Sequence, residues 1–341
     1  MEPLHVLITR EFSADWVNQL RSRLPENVRI TQQTADRPEE ILAEIWATVN
    51  VLYSGACYPD PTIASRLGWV QLDTAGANHL LNTPLWHSQV HLTTLNGVAP
   101  PNMGEVAMLM MLAFGHHLPQ MFQGQLVKEW PTFQQRWDHY TPREIRGSTV
   151  CVVGYGNIGR EIGRLSHAFG MRVQAVDRVL SGEAANLTYQ IPELAGLPGT
   201  EPDAFFLPEQ LIEAVGQADY VALVVPYTTS THHMINEQVL RAMRPEGVLI
   251  NIARGGVVDE EALIRALREK WIAGAALDVF AEEPLPASSP FWEMENVVIS
   301  PHVAGLTSHY YERIQDLFCQ NIQRYIAGQP LLNEVQRVRQ Y

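Results

Sequence analysis

Three side chains in the C-terminal half have types that suit proton and anion chemistry, and each stands just past a candidate strand. Arg254 follows Val248–Ile252, Glu283 follows Ala273–Val279, and His302 follows Asn296–Ser300. Ligands of open α/β sheets sit beyond the carboxyl ends of the strands, so a cation, an acid and an imidazole are expected on one edge. A guanidinium can grip a carboxylate bidentately and polarise a neighbouring carbonyl. An imidazole can give a proton to a forming alkoxide, or remove one in the oxidation direction. A carboxylate on the second ring nitrogen fixes the tautomer and favours the protonated ring. The set suits hydride transfer at a carbonyl, with Arg254 holding the substrate, His302 as acid/base and Glu283 tuning His302. Asp278, at a strand end, can accept a hydrogen bond from a nicotinamide carboxamide. Each residue also has a plainer reading. Arg254 could be a structural ion-pair partner, Glu283 an exposed charge in Glu282-Glu283-Pro284, and His302 a strand-end cap. The shared edge favours the chemical reading.

Hydride chemistry needs a carrier, and the stretch Thr149 to Asp177 has the form of a dinucleotide site. An apolar strand-like run, Thr149–Val153, leads into Gly154, Gly156 and Gly159, a G-x-G-x-x-G pattern. Ile158, Ile162, Leu165 and Phe169 follow at helical spacing, Gly170 can end the helix, and Arg172–Val176 is a second strand closed by Asp177. Gly154 permits the tight turn, Gly156 lets a pyrophosphate approach the backbone, and Gly159 lets helix and strand pack closely. The helix N-terminus offers unpaired N–H groups and partial positive charge to the phosphates. Asp177 can accept from both adenosine ribose hydroxyls and would repel a 2′-phosphate, so NAD is favoured over NADP. Arg178, immediately after, blurs that preference. A glycine turn with no ligand is the plainer reading, and the strands, helix and acid around it argue against that.

The composition sets limits. At 341 residues the chain is expected to form two domains. A net charge of −13 argues against a nucleic-acid surface. An anionic substrate then needs a local cationic clamp. Cys57, Cys151 and Cys319 are far apart, with no C-x-x-C, which fits a reducing compartment. The start, MEPLHVLITREF, has no basic n-region, and no apolar run reaches membrane-spanning length, so a cytoplasmic protein is expected. No metal site is expected: His116 and His117 are adjacent on a helix and do not share a face. His232 and His233 read as loop or helix-start residues, and Trp292 as packing over the sheet edge.

Residues 1 to about 100 alternate strands (Leu4–Ile8, Val28–Ile30, Val51–Tyr53, Val70–Leu72, Val90–Thr93) with helices near Ser13–Leu24, Pro38–Ala47 and Thr62–Leu67. That rhythm predicts a parallel sheet covered on both faces, without a phosphate fingerprint. Asn102–Leu118 is apolar all round, which predicts a helix buried on every side, between domains or subunits. Trp130–Arg146 reads as an aromatic-rich connection. Leu180–Phe206, with Pro192, Pro198 and Pro202, reads as a long loop, a functional flap or a surface insertion, the latter favoured. After it come a helix at Pro208–Val215 and a strand at Tyr220–Val225. Asn236 and Asp259 cap two further helices around the strand Val248–Ile252, and the total is six parallel strands. Thr307–Ala327 is an amphipathic helix expected to return to the first domain.

NIARGGVVDEEAL, AALDVFAEEPLP and SPHVAG resemble, in order and spacing, the three signatures of the D-isomer-specific 2-hydroxyacid dehydrogenases, a family that includes phosphoglycerate, glyoxylate/hydroxypyruvate and D-lactate dehydrogenases. The resemblance runs from about Leu52 to Ile326. It implies a Rossmann dinucleotide-binding domain (103–305) inserted into a flavodoxin-like substrate domain (1–102 plus 306–341), and usually a homodimer joined through the cofactor domain. It puts the catalytic roles on Arg254, Glu283 and His302. It puts cofactor contacts at Gly154, Tyr155, Gly156, Asn157, Ile158, Gly159, Asp177, Pro226, Thr231, Ile252, Ala253, Asp278, Ala304 and Gly305. Ser54, Gly55 and Ala56 are implied to meet the substrate carboxylate through backbone N–H groups. The segment Leu180–Phe206 departs from the family pattern. Glu283 disfavours formate dehydrogenase activity, whose relatives carry glutamine there. The implied activity is NAD-dependent interconversion of a small 2-oxo acid and its D-2-hydroxy acid. An NAD(H)-sensing interaction protein, like the corepressors that resemble this family, is the alternative.

Overall fold

The computed structural model describes residues 3–178 and 187–340. The chain forms two compact units, Met1–Val98 with Glu183–Glu193 and Ser308–Tyr341, and Ala99–Gly182 with Leu194–Thr307.

In the first unit the strands are β1 (Leu4–Ile8), β2 (Val28–Gln32), β3 (Val51–Ser54), β4 (Trp69–Leu72) and β5 (His91–Thr93). They pair in parallel in the order β2-β1-β3-β4-β5. β3 and β4 are buried at every position, which is why they are mostly apolar; the polar exceptions, Ser54 and Gln71, are buried too. Helix α1 (Ala14–Ser22) starts where the Ser13 hydroxyl accepts from Trp16 N–H, and it turns Trp16, Val17 and Leu20 inward. α2 is one turn, Ala43–Trp46, after a 3₁₀ turn at Pro38–Glu40, so the expected helix over 38–47 is broken. Thr62–Leu67 is not a helix. The Asp60 carboxylate accepts from both the N–H and the hydroxyl of Thr62, an Asx turn that competes with helix.

In the second unit α3 (Pro100–Gly115) precedes α4 (Leu118–Val127) and α5 (Phe133–Tyr140). α5 lies in what the sequence suggested was only a connection. Thr132 and Gln135 form a reciprocal capping box there, a signal hidden by the aromatic residues around it. Nor is α3 buried all round within the chain, since Leu109 is 54% exposed. The sheet holds β6 (Thr149–Val153), β7 (Arg172–Val176), β8 (Ala204–Phe206), β9 (Tyr220–Leu223), β10 (Val248–Asn251), β11 (Gly274–Leu277) and β12 (Val297–Ile299). The order is β12-β11-β10-β9-β6-β7-β8, all parallel. This is seven strands among the described residues, not six. β8 is three residues at the end of the segment read as a loop, too short to show a period of its own.

Helices α6 (Asn157–Ala168), α7 (Leu211–Gly216), α8 (Glu237–Ala242) and α9 (Glu260–Arg268) cover this sheet. α9 shows how local chemistry fixes an element. Asp259 accepts from Ala262 N–H at its start, a cap worth about 1 kcal/mol. Ala262, Leu263, Ala266 and Leu267 recur at helical spacing and are buried. The two leucines contribute roughly 1.5–3 kcal/mol each by leaving water. α3 approaches α6 closely because Gly104 has no Cβ; one there would stand 2.9 Å from Glu161 Cγ. α10 (Tyr310–Ile326) belongs to the first unit.

Candidate active site

The glycine turn after β6 has the shape that a dinucleotide needs. Gly154 sits at φ +96°, closed to L side chains at low cost. A Cβ on Gly159 would lie 2.2 Å from the Gly154 carbonyl oxygen, so the start of α6 can pack on the turn only with glycine there. Gly156 differs. A Cβ there would meet no atom within 4 Å, so the protein's own packing does not require the absent side chain. The open space lies at the N-cap of a twelve-residue helix, whose first-turn N–H groups and dipole suit a pyrophosphate. The residues present therefore fit a dinucleotide. Tyr155 has a buried side chain whose hydroxyl finds no partner among the described residues, and burial pushes its pKa up. Its N–H donates to Asp177 Oδ2 at 2.6 Å, while Arg178 N–H donates to Asp177 Oδ1 at 2.6 Å. These two bonds aim the Asp177 carboxylate from the end of β7. The Arg178 guanidinium donates to Ser230 Oγ at 2.6 Å. Thr231 accepts from Thr228 N–H and donates to the Pro226 carbonyl, tying up the loop after β9.

The loops after β10, β11 and β12 converge on the same rim. Gly255 makes this possible: a Cβ there would fall 1.9 Å from the Phe280 carbonyl carbon, so the Arg254 loop lies directly on the Glu283 loop. Asn251, 1% exposed, holds the first loop from within, accepting from Ala253 N–H at 3.1 Å and donating to the Arg254 carbonyl at 3.1 Å. Arg254 Nη1 donates to the Ala253 carbonyl at 2.6 Å. Burial lowers the Arg254 pKa while the Glu283 charge opposes the shift, so a cation is kept partly stripped of water beside an acid.

Glu283 accepts from Phe280 N–H at 2.9 Å through Oε1 and pairs with His302 Nδ1 at 2.7 Å through Oε2. Burial works against its charge. The His302 and Phe280 hydrogen bonds, with the His302 and Arg254 charges, outweigh that and hold its pKa below the ordinary value. An ionised Glu283 can only accept, so the proton between them sits on Nδ1 and Nε2 is left to exchange one. The Glu283-Pro284 peptide bond is cis.

His302 adopts φ +54°, a conformation L residues rarely take, and Asp278 is what holds it. Asp278 is 2% exposed. Its Oδ1 accepts from Ser300 Oγ at 2.6 Å and Val303 N–H at 2.9 Å, its Oδ2 accepts from Ala304 N–H at 3.0 Å, and its carbonyl accepts from His302 N–H at 2.8 Å. Asp278 thus clamps the 300–304 turn with both oxygens. Asn102 Nδ2 donates to the Ala304 carbonyl at 2.6 Å. Ile252, Ala253 and Ala304 are buried, and a Cβ on Gly305 would meet nothing within 4 Å. Asn251, Gly255 and Ser300 were not singled out in the sequence. A buried polar residue ending an apolar strand was the available signal for Asn251.

In the first unit Ser54 ends β3, fully buried, and its Oγ accepts from Thr9 Oγ1 at 2.9 Å and from Ala56 N–H at 3.3 Å. The Tyr53 hydroxyl donates to Asp73, which also pairs with Arg10 Nε at 3.1 Å beside Gly55. His232 and His233 stack at 3.9 Å in the loop after β9. Trp292 does not pack over the sheet edge. It is 54% exposed, with Nε1 donating to the Pro286 carbonyl. No group of three metal-ligating side chains occurs among the described residues.

Comparison with known proteins agrees with this geometry. The family described as "D-isomer specific 2-hydroxyacid dehydrogenase, NAD binding domain" matches residues 108–304. A glyoxylate reductase from Thermococcus onnurineus is 32% identical over 330 residues, covering 95% of this chain and 93% of that protein. An (S)-sulfolactate dehydrogenase from Chromohalobacter salexigens is 33% identical over 276 residues, 80% of each chain. Among solved structures, a D-isomer specific 2-hydroxyacid dehydrogenase from Xanthobacter autotrophicus, in complex with NADPH and MES, superposes with a TM-score of 0.78 at 26% identity over all of both chains. The family match, the near full-length relatives and the dinucleotide turn agree that the chain belongs to the D-isomer specific 2-hydroxyacid dehydrogenases, oxidoreductases acting on the CH–OH group of donors.

Proposed function

We propose that the protein interconverts a small 2-oxo acid and the corresponding D-2-hydroxy acid with NAD as the cofactor. Arg254 binds the substrate carboxylate and polarises the adjacent carbonyl. His302 gives the proton from Nε2 to the oxygen as the C–H bond forms, and takes it back in the oxidation direction. Glu283 keeps His302 in the required tautomer. A bound nicotinamide would supply or accept the hydride. The observation that carries this reading is the Glu283–His302 pair, which leaves Nε2 free on the rim that also holds Arg254.

The finer assignments follow from the same residues. Gly154 to Gly159 would hold the pyrophosphate, Asp177 the adenosine ribose, and Pro226, Thr231, Ile252, Ala253, Asp278, Ala304 and Gly305 the rest of the cofactor. Asp177 favours NAD, although the solved relative in complex with NADPH shows that the fold accepts the phosphorylated form. The second unit is then the NAD-binding Rossmann domain. The first is the substrate domain, with Ser54, Gly55 and Ala56 toward the carboxylate. Glyoxylate and its C3 homologues are the first substrates to try, given the relatives' names. A homodimer joined through the second unit would cover Leu109 on α3, Phe122 and Leu126 on α4, and Phe133 and Trp137 on α5, all exposed in the single chain. Three free cysteines and the lack, among the described residues, of a helix able to cross a membrane support a cytoplasmic protein.

The test is NADH and NADPH consumption against a panel of 2-oxo acids. Turnover of at least one short 2-oxo acid, faster with NADH, is expected. NADH binding without turnover on any of them would favour the sensing role and overturn this one.

A further inference from the structure

The amino ends of β6 to β10, the rim opposite the one described above, frame a cavity of about 630 Å³. Arg143, Arg146, Arg172 and Arg244 line it with Asp203 and Asp219. Four guanidinium groups thus face two carboxylates, a local excess of two positive charges in a chain of net charge −13. The cluster is built rather than scattered. Asp219, with a side chain 6% exposed, accepts from Thr149 N–H at 2.8 Å, pairs with Arg244 Nη1 at 2.8 Å and pairs with Arg143 Nη2. Each of these guanidiniums spends one nitrogen on Asp219 and keeps the rest of its N–H fork, with 40% and 45% of the side chains exposed. Arg146 lies alongside at the end of α6, its Nη1 3.1 Å from where a Cβ on Gly170 would stand. Gln174, nine-tenths buried, also lines the cavity. Its Oε1 has no hydrogen-bond partner among the described residues, a state native interiors seldom leave unmet.

We propose that this cavity binds a small multivalent anion, a phosphate ester or a polycarboxylate. Held guanidiniums with free N–H forks match the oxygens of such groups, and their entropy of ordering is already lost to Asp219. The site stands apart from the catalytic rim by the length of the strands, so it does not depend on the reaction assigned above. The competing explanation is that the arginines only offset the carbonyl ends of α6, α7 and α8, which finish on this edge.

The experiment is isothermal titration of the full chain with inorganic pyrophosphate and, separately, citrate, at constant ionic strength. Wild type, Arg254→Gln, and Arg146→Gln/Arg172→Gln are compared. With the chain kept saturated in NADH, so that the glycine turn is filled, wild type and Arg254→Gln are expected to bind pyrophosphate with equal affinity, and the double variant about tenfold or more weakly, the size of a lost charge-assisted bond. Binding of one probe alone says which source the site prefers. Should the double variant fail to fold by circular dichroism, Arg146→Gln alone is measured. No wild-type binding, equal affinity in the variant, or a loss in Arg254→Gln instead would each overturn the proposal.

Discussion

The two rims of the seven-stranded sheet carry similar residues to different ends. On the carboxyl rim Arg254 is partly buried and makes no direct ion pair with a carboxylate among the described residues; its N–H donates to a backbone carbonyl. On the amino rim two arginines share the buried carboxylate of Asp219. The acids differ in the same way. Glu283 is spent on an imidazole and a backbone N–H, Asp219 on guanidiniums and a backbone N–H. A cation left without its own counter-ion is available to a substrate, while one locked to an acid stabilises the fold first. Helix direction reinforces the contrast, because α6 presents N–H groups to the carboxyl rim and carbonyls to the other.

This comparison can be broken by substitution. The largest effect is expected for His302→Ala, with kcat falling about 10²- to 10⁴-fold, the usual share of general acid–base catalysis. NADH binding, followed by fluorescence, should persist; unchanged turnover would remove His302 from the mechanism. Arg254→Ala should lower kcat/KM by roughly 10²- to 10³-fold, mainly through KM, with thermal stability nearly unchanged. Glu283→Gln should cost kcat about tenfold to a hundredfold, as one charge-assisted bond is weakened. Its pH dependence has a definite sign. The Glu283 pKa is depressed, so its grip on His302 is complete above the ordinary carboxylate value and is lost only as pH falls through the lowered one. The wild-type rate should therefore keep this contribution to pH values below the ordinary range, and the variant should lack that acid limb altogether. The smallest effect is expected on the other rim. Asp219→Asn should cost about 1–2 kcal/mol of stability, discounted because both arginines are partly exposed, with kcat unaltered. Loss of turnover without loss of stability in that variant would erase the distinction between the rims.

The difference in legibility between the rims has a physical origin. Residues on the carboxyl rim follow their strands at once, so Arg254, Glu283 and His302 are found by asking what stands after each apolar run. The glycine turn is legible because G-x-G-x-x-G states a backbone requirement in residue type. The amino-rim arginines stand in three separate segments, 143–146, 172 and 244, and nothing local marks them as neighbours. Short elements failed for a related reason. β8 has three residues and its pairing comes from β7, and the one-turn α2 is set by its surroundings.

By itself the chain of residues determined the parallel α/β class, the dinucleotide turn, the three candidate side chains on one rim and the family, because each depends on strand runs, glycine positions and what comes directly after them. Only the tertiary structure decided that Glu283 meets Nδ1 rather than Nε2 of His302, that Asp278 uses both oxygens to hold the 300–304 turn, and that Asn251 and Gly255 seat the Arg254 loop. Those choices turn on contacts between strands far apart in sequence, where a few tenths of an ångström separate a hydrogen bond from a clash.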